Sequence, residues 1–392
     1  MPALAKNGIR IEVIQVGDLT RFVEEFFRNS AGQVMAPISQ QRALGMLHNP
    51  FADPHDPGLI VAYASEKLVA YWGCVPGLLK TREGCSKVVW GSAVFVHPDY
   101  RARGVFLNLI RTVFSFEKDI VITGMSDDVY RINKALGFRE LKPLELCSLN
   151  VAKLDLFASA LWLARERSKV PNAILKIAEP LTPLTSLLVY RPLRFFYLRR
   201  LAHAARKQLA GTAFREVRRV QPAAETPPAS AHFVRGVEAV NWMLEHPWVL
   251  ESKSAASLAS DPPYYFSDFR DSFRHYAIEF DAPHGALAGY LTFSIQAEQG
   301  KKTCKLTDFS VRSNKDFAIV FWITALYIAF HRVDYFEAAS AIGPFMAETP
   351  LASFLVRPRV RRYLCKAVKG GRLEKVFGKL ELQYGDGDCA FT

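Results

Sequence analysis

The segment VFVHPDYRARGVFLNLIR, Val94 to Arg111, constrains this chain more than any other stretch. Its opening residues read as a strand that ends at Val96. His97-Pro98 breaks it, because proline offers no N–H to a ladder. A helix starts within a few residues of Gly104, with Val105, Leu109, Ile110 and Val113 forming one apolar stripe. The turn between them presents Arg101, Arg103 and the successive backbone N–H groups of Ala102 to Phe106. A helix N-terminus carries unpaired donors and about half a positive charge, so such a turn attracts phosphate. Gly104 lets the backbone approach an anion closely, and the arginines add charge-assisted contacts. Read this way the turn is a pyrophosphate cradle; the bland alternative is a strand-turn-helix with arginines facing solvent.

The residues around it alternate strand and helix. Ile9–Gln15 reads as a strand, Leu19–Arg28 and Gln40–Leu47 as helices, and Leu59–Ser65, Leu68–Leu79 and Lys87–Val96 as β-rich runs. Ile120–Thr123 is a short buried strand, Val129–Leu136 a short helix stopped at Gly137, and 138–151 further strand. Together these predict an α/β domain with a central mixed sheet. A chain of 392 residues is too long for one ordinary core. The expected partition is a first domain over 1–151, a helical basic connector over 152–231 and a second α/β domain over 232–392. The second domain repeats the element order of the first, as a degenerate copy: strands at 275–280, 286–295 and 303–311, a helix at 317–330, strand 333–338, a helix near 347–355, then closing strands at 363–368 and 380–384.

The six cysteines are scattered with no CxxC pair, which speaks against a disulfide framework or a zinc site and for a reducing cytoplasm. No metal is expected. Met1 to Gly8 lacks the apolar core of a signal peptide. FAIVFWITALYIAF, Phe317–Phe330, falls short of the roughly 20 residues a bilayer needs and reads as a buried helix. The net charge of +12 admits nucleic acid, an anionic membrane or a phosphorylated ligand. No helix-turn-helix, zinc-finger or RNA-binding signature is present, so nucleic acid is not expected. Much of the excess lies in the connector, where YRPLRFFYLRRLAHAARK mixes arginines with apolar clusters. That composition suits peripheral contact with an anionic membrane through 155–210, or a helical layer whose arginines snorkel at its edge.

Val96, Pro98, Tyr100, Arg101, Gly104, Val105 and Leu109 resemble the central motif of the GNAT superfamily of acyltransferases, V-x-P-x-Y-R-x-x-G-[VI]-x-x-x-L. Leu136-Gly137-Phe138 matches its second signature, about thirty residues on. The resemblance covers about residues 8 to 150. It implies that the strand ending at Val96 splays from the strand near Ile120–Thr123, and that an acyl-CoA lies in the gap. Phe95 and Val96 would pair with the pantetheine arm, and Arg101, Arg103, Gly104, Val105 and Phe106 would hold the diphosphate. It further implies direct transfer from acetyl-CoA or another acyl-CoA to an amine, through an oxyanion held by backbone N–H.

The chain departs from the family pattern at three places. Phe106 stands where Gly or Ala is usual, so its side chain has to point away from the phosphates. Asn133 stands where a Tyr often protonates the departing thiolate; Tyr130, one turn earlier on the same helix face, is the substitute considered. The strand Lys87–Val96 lacks the usual Glu base and offers only Ser92, with Glu83 in the preceding turn. A base acting through water, or a carboxylate from the second domain, stays open.

The second domain has no matching glycine turn, SVRSNKDFAIV preceding its long helix, and is expected to bind no cofactor. Val240–Val249 and Leu382–Thr392 resemble tandem GNAT-like proteins associated with bacterial surface-polysaccharide biosynthesis. Trp242, His246 and Trp248 either line a sugar cleft or belong to the core. Asp386 and Asp388 either supply acceptor contacts or a base, or sit in a solvated turn. The expected activity is an N-acetyltransferase acting on an amine, such as an amino sugar, in the cytoplasm. The alternatives are a longer-chain acyltransferase at the membrane surface and a non-catalytic acyl-CoA-binding or scaffold protein.

Overall fold

The computed structural model describes residues 8–157, 160, 182–222, 231–251, 262–266, 269–281, 287–313 and 316–388. Residues 158, 159 and 161–181, which hold most of the apolar piece at 156–164 and the basic residues after it, and residues 223–230 of the Pro/Ala-rich stretch lie outside the described residues.

Two mixed sheets organise the molecule. The first runs β1 (Ile9–Gln15), β2 (Pro57–Ala64), β3 (Lys67–Thr81), β4 (Gly84–Val96), β5 (Asp119–Thr123), β17 (Tyr363–Lys366) and β6 (Arg139–Glu140). The second runs β8 (Phe214–Val217), β12 (Ser272–Asp281), β13 (Leu287–Glu298), β14 (Lys301–Val311), β15 (Tyr335–Ala339), β7 (Leu144–Asn150) and β16 (Val356–Arg361). Position by position the two orders correspond. In each, the fourth and fifth strands are the parallel pair and the sixth is antiparallel to both its neighbours. The short strand β9 (Ala231–Phe233) adds to β3, and β10 (Leu250–Glu251) pairs with β11 (Phe269–Arg270). The α/β architecture and the internal duplication are therefore as expected.

The sheets do not respect the expected partition of the chain. β7 comes from the first half but sits between β15 and β16 of the second sheet, and β17 comes from the last third but sits between β5 and β6 of the first. Each lobe thus borrows its sixth strand from the other. Tyr363 and Leu364 are fully buried in the lobe that receives them, each contributing about 1.5–3 kcal/mol of apolar burial. Part of the expected connector also belongs to the second lobe, through β8 at the sheet edge and helix α5 (Arg191–Gln208), whose Tyr197, Leu198, Leu201 and Ala205 enter that core. Leu380–Tyr384 is not a strand; only Glu381 makes a bridge, to His232.

Helices α1 (Leu19–Arg28), α2 (Gln40–Leu47) and α6 (Gly236–Glu245) cover one face of the first sheet, sharing a core with Tyr71, Trp90 and Tyr363 and with Ala277 and Tyr290 of the second lobe. On the other face, α3 (Val105–Phe114) packs through Val105, Leu109, Ile110 and Val113, the stripe read from the sequence. With both faces covered, β2 reads as a continuous apolar run and is buried nearly throughout. Helix α4 (Asp127–Ala135) begins where the Ser126 side chain accepts from Val129 N–H and ends at Gly137, φ 83°. There the N–H of Phe138 returns to Asn133 O at 3.0 Å, a Schellman-type stop. Helix α7 (Phe317–His331) buries Val320 to Ala325 in the second core. Among the described residues no helix is long and apolar enough to cross a membrane.

Candidate functional site

β4 and β5 are paired only from Val88 to Gly91 against Asp119 to Ile122. Beyond Gly91 they diverge, and among the described residues the β5-facing edge of Ser92 to Val96 has no strand partner. At the point of divergence β4 carries a bulge, with Ala93 at φ 52° and a register shift opposite Trp72. The extra residue puts Phe95 on the same face as Ser92 and sends Val94 and Val96 to the α3 face. A non-glycine residue at positive φ costs about 1–3 kcal/mol, a strain found where a site needs it.

The divergence opens a cleft of ≈ 530 Å³ through the sheet. On the α3/α4 side Trp72, Val94, Phe106, Ile132 and Asn133 line it, with Arg101 at the mouth; on the other side Ser92, Phe95, Tyr265 and Phe266 do. Phe106 stacks flat on Trp72, ring centroids 5.9 Å apart. The bulk at this unusual position is therefore directed onto the cleft wall, away from the open turn.

Pro98–Arg103 forms a six-residue 3-10 helix, and Gly104 at φ 74°, ψ 8° joins it to α3. A side chain at Gly104 would meet no protein atom within 4 Å, so that flank of the turn is open. Val105, Phe106 and Leu107 form the first turn of α3, where backbone N–H groups have no intrahelical acceptor. Arg101 donates from Nε to Val96 O at 3.2 Å, and the Arg103 guanidinium lies 4.8 Å from the Tyr100 ring centre. The first-turn amides of α3, two exposed arginines and no carboxylate but Asp99 in the turn are the donor set that an anion would use.

On the opposite side of the sheet, Ser92 is the centre of a buried polar group. Arg42, 7% exposed, donates from Nη2 to Ser92 Oγ at 2.6 Å and from Nη1 to Tyr264 Oη at 3.1 Å, with its guanidinium over the Trp248 ring. The Ser92 hydroxyl in turn donates to the Asp388 carboxylate. The last described residues therefore return to the cleft. Gly387 packs on the Trp90 ring, and Asp386 is 1% exposed, so the segment is not a solvated turn. Burial pushes the Asp386 carboxyl up to about 7, against the opposing effect of Gln383 N–H at 2.7 Å.

The structure brings Phe95, Val96, Arg101, Phe106, Ser92 and Asn133 together around the cleft, with the Arg103–Val105 turn at its mouth. It does not bring Tyr130 there. The Tyr130 hydroxyl donates to Glu140 Oε2 at 2.7 Å, its ring lies under Arg362, and its pKa is raised first by that hydrogen bond and then by burial. Sharing a helix face with Asn133 was not enough, because a one-turn offset on so short a helix carries the ring past the cleft. Asn133 is fully buried and spends Nδ2 on Val129 O at 2.8 Å, leaving Oδ1 unpartnered. Ser92 is engaged on both sides and is no free nucleophile. Glu83 pairs with Lys375 at the distant end of β4. Trp242 and Trp248 are core residues, Trp242 donating to Gly45 O at 2.6 Å, while His246 stacks on His48. Arg42 and Tyr264–Phe266 were missed. Only the aromatic run PYYF hinted at them, since nothing local to α2 marks its arginine.

The second lobe has the same divergence, β14 and β15 pairing only over Thr303–Lys305. Its surroundings hold ion pairs and hydrogen bonds of their own. Arg235 binds the buried Asp308 at 3.0 Å, Tyr384 donates to the buried Glu337 at 2.8 Å, and Gly385 lies against Thr307.

No family model matches the chain, and no curated protein matches it in sequence. Among solved structures, it is similar to a GCN5-related N-acetyltransferase from Anabaena variabilis, at 13% identity over 92% of this chain and 73% of that one, TM-score 0.46. It is also similar to Saccharomyces cerevisiae N-myristoyltransferase with bound myristoyl-CoA, at 10% identity over 93% and 84%, TM-score 0.47. A tandem GNAT protein from the clavulanic acid biosynthesis pathway is similar at 13% identity over 92% and 98%, TM-score 0.42.

Proposed function

We propose that this protein is an acyltransferase that moves an acyl group from an acyl-CoA to a small amine. The observation that carries the reading is the conjunction of a strand divergence with the first turn of α3 at its mouth. An extended pantetheine arm needs unpaired strand edge, and Ser92–Val96 supplies it; a diphosphate needs converging N–H donors, and Val105–Leu107 supply them. Arg101 and Arg103 add charge at the same place. The donor then lies on the α3/α4 side, and the acceptor reaches the thioester from the side of Phe95, Tyr265 and Phe266.

Asp388 is the base we assign on the acceptor side. The amine nitrogen forms a bond to the thioester carbon, the carbon–sulfur bond breaks, and the ammonium proton passes to the Asp388 carboxylate. The thiolate takes its proton from solvent, because the Asn133 amide has none to give at neutral pH. Arg42, through Ser92, positions the carboxylate. An amino sugar suits this side, since the exposed ring of Tyr265, 61% accessible, offers a flat apolar face for a sugar's C–H face.

Thermal stabilisation by acetyl-CoA, a long-chain acyl-CoA and free CoA tests the reading, because a ligand that binds only the folded state adds RT ln(1 + [L]/Kd). Stabilisation is expected in the wild type and lost in Gly104→Glu, which places a carboxylate where the phosphates lie. Asp388→Asn is expected to keep acyl-CoA affinity and to lose about a hundredfold or more in turnover on an amine panel. Unchanged CoA affinity in folded Gly104→Glu overturns the cradle. Binding without thioester consumption by the wild type on any amine favours a non-catalytic acyl-CoA-binding protein.

A further inference from the structure

A second concavity shares none of this cleft's lining residues. A groove of ≈ 1130 Å³ runs between α5 and α7 over β12 of the second lobe. Six arginines line it (Arg191, Arg194, Arg199, Arg206, Arg274 and Arg332) against the single carboxylate of Glu216. Arg194 is tied to Asp334 at 2.8 Å and Arg274 to Glu216 at 2.6 Å. Arg191, Arg199, Arg206 and Arg332 form no ion pair among the described residues. Among the described residues the basic charge therefore exceeds the acidic charge paired with it.

The rim of the groove is apolar, and it is turned outward. Phe330 is 82% exposed, Phe196 60%, Phe195 54% and Leu193 42%, and Leu188 one turn before α5 is 65% exposed. Helix α5 buries only Tyr197, Leu198, Leu201 and Ala205, which leaves its first turns presenting aromatic rings and arginines together. Isolated exposed apolar residues are ordinary; a contiguous set flanking an unneutralised basic groove is not. A soluble anion would account for the arginines but not for the protruding rings. A second protein chain would account for the rings but would have to bring an acidic surface with it. A bilayer containing anionic lipid satisfies both demands at once: headgroup phosphates meet the guanidinium groups, and the rings enter the boundary between headgroups and acyl chains.

We infer that the α5–α7 face of the second lobe docks on an anionic membrane surface, lying on it rather than crossing it. The inference does not depend on the acyl-transfer reading, since none of these residues touches the cleft around Ser92.

Co-sedimentation of the full chain with vesicles tests it, comparing phosphatidylcholine alone with phosphatidylcholine containing phosphatidylglycerol. The wild type is expected to pellet with the anionic vesicles and to be released by salt. Arg199→Glu with Arg206→Glu is expected to lower partitioning at least about tenfold, as two basic residues near an anionic surface reverse sign. Phe195→Ser with Phe196→Ser and Phe330→Ser is expected to abolish the part of binding that resists salt. All five positions are rim or groove side chains outside the core, and an unchanged melting temperature confirms that the variants fold. Equal binding to both vesicle types, binding to neither, or binding untouched by both variants overturns the inference. So does a concentration-dependent dimer that the aromatic variant dissolves, which would assign the face to a second copy of the chain. Displacement from vesicles by a short single-stranded RNA with no salt-resistant component would assign the groove to nucleic acid instead.

Discussion

Asp386 shows how a single side chain reports on the closing of the C-terminal segment. Burial raises its carboxyl to about 7 from an ordinary 3.8. Protonation is therefore favoured in the folded state: the contribution of this residue to stability is complete below about pH 4 and is lost as pH rises through about 7. Above that, the buried charge is a standing cost of at most a few kcal/mol, partly offset by Gln383 N–H and Arg235. Asp386→Asn keeps an acceptor for Gln383 and cannot ionise. It is expected to melt a few degrees higher than wild type near pH 8, with the difference vanishing near pH 4. A difference independent of pH would show that Asp386 acts through packing instead. Residues of this kind divide sharply in how far the sequence reveals them. Gly104 and the Arg101–Phe106 turn are legible because the turn is made by neighbours in the chain. The Arg42–Ser92–Asp388 group is not, since its members lie 50 and 296 residues apart and meet only through the tertiary fold.

At the scale of elements, the segment from Tyr384 to Asp388 links the two lobes' strand divergences. Tyr384 closes the second at Glu337, and Asp388 reaches the first at Ser92. Gly385 allows the passage: a β-carbon there would lie 2.7 Å from Thr307 O, a backbone atom with no freedom to withdraw. Gly385→Ala must therefore shift the segment and with it the Asp388 carboxylate. The expected result is a fall in turnover of roughly tenfold to a hundredfold with acyl-CoA affinity unchanged, since the α3 turn is untouched. A loss of CoA affinity of the same size would mean that the segment supports the cradle and not the base. Helix α3 and the buried strands β2 to β5 were readable from periodicity, because each buries a fixed face. The closing strand expected at 380–384 was not, because LELQY alternates in sequence while its backbone makes one bridge only, from Glu381 to His232 of β9.

For the whole molecule, the reciprocal loan of β7 and β17 decides how it unfolds. Two duplicated lobes joined by a connector are expected to melt separately, as independent domains commonly do. Here neither sheet is complete without a strand encoded in the other half, and Ala277 and Tyr290 of the second lobe share the core of the first. Removing one lobe would leave β5 and β6 of the other without the strand between them and bare an edge prone to aggregation. Periodicity could not disclose this, because the pattern of β7 or β17 is equally content in either sheet. Only the number of strands each half must supply, six of its own and one received, carries the information. Tyr363→Ala in β17 is expected to cost about 3–5 kcal/mol as a fully buried aromatic truncation, and Leu149→Ala in β7 about 2–5 kcal/mol. If the exchange couples the lobes, either substitution accelerates hydrogen exchange in α3 of the first lobe and α7 of the second together, and urea unfolding stays a single transition. Acceleration confined to the lobe that holds the substituted strand, or a second transition, would show that the lobes are joined in space while still folding apart.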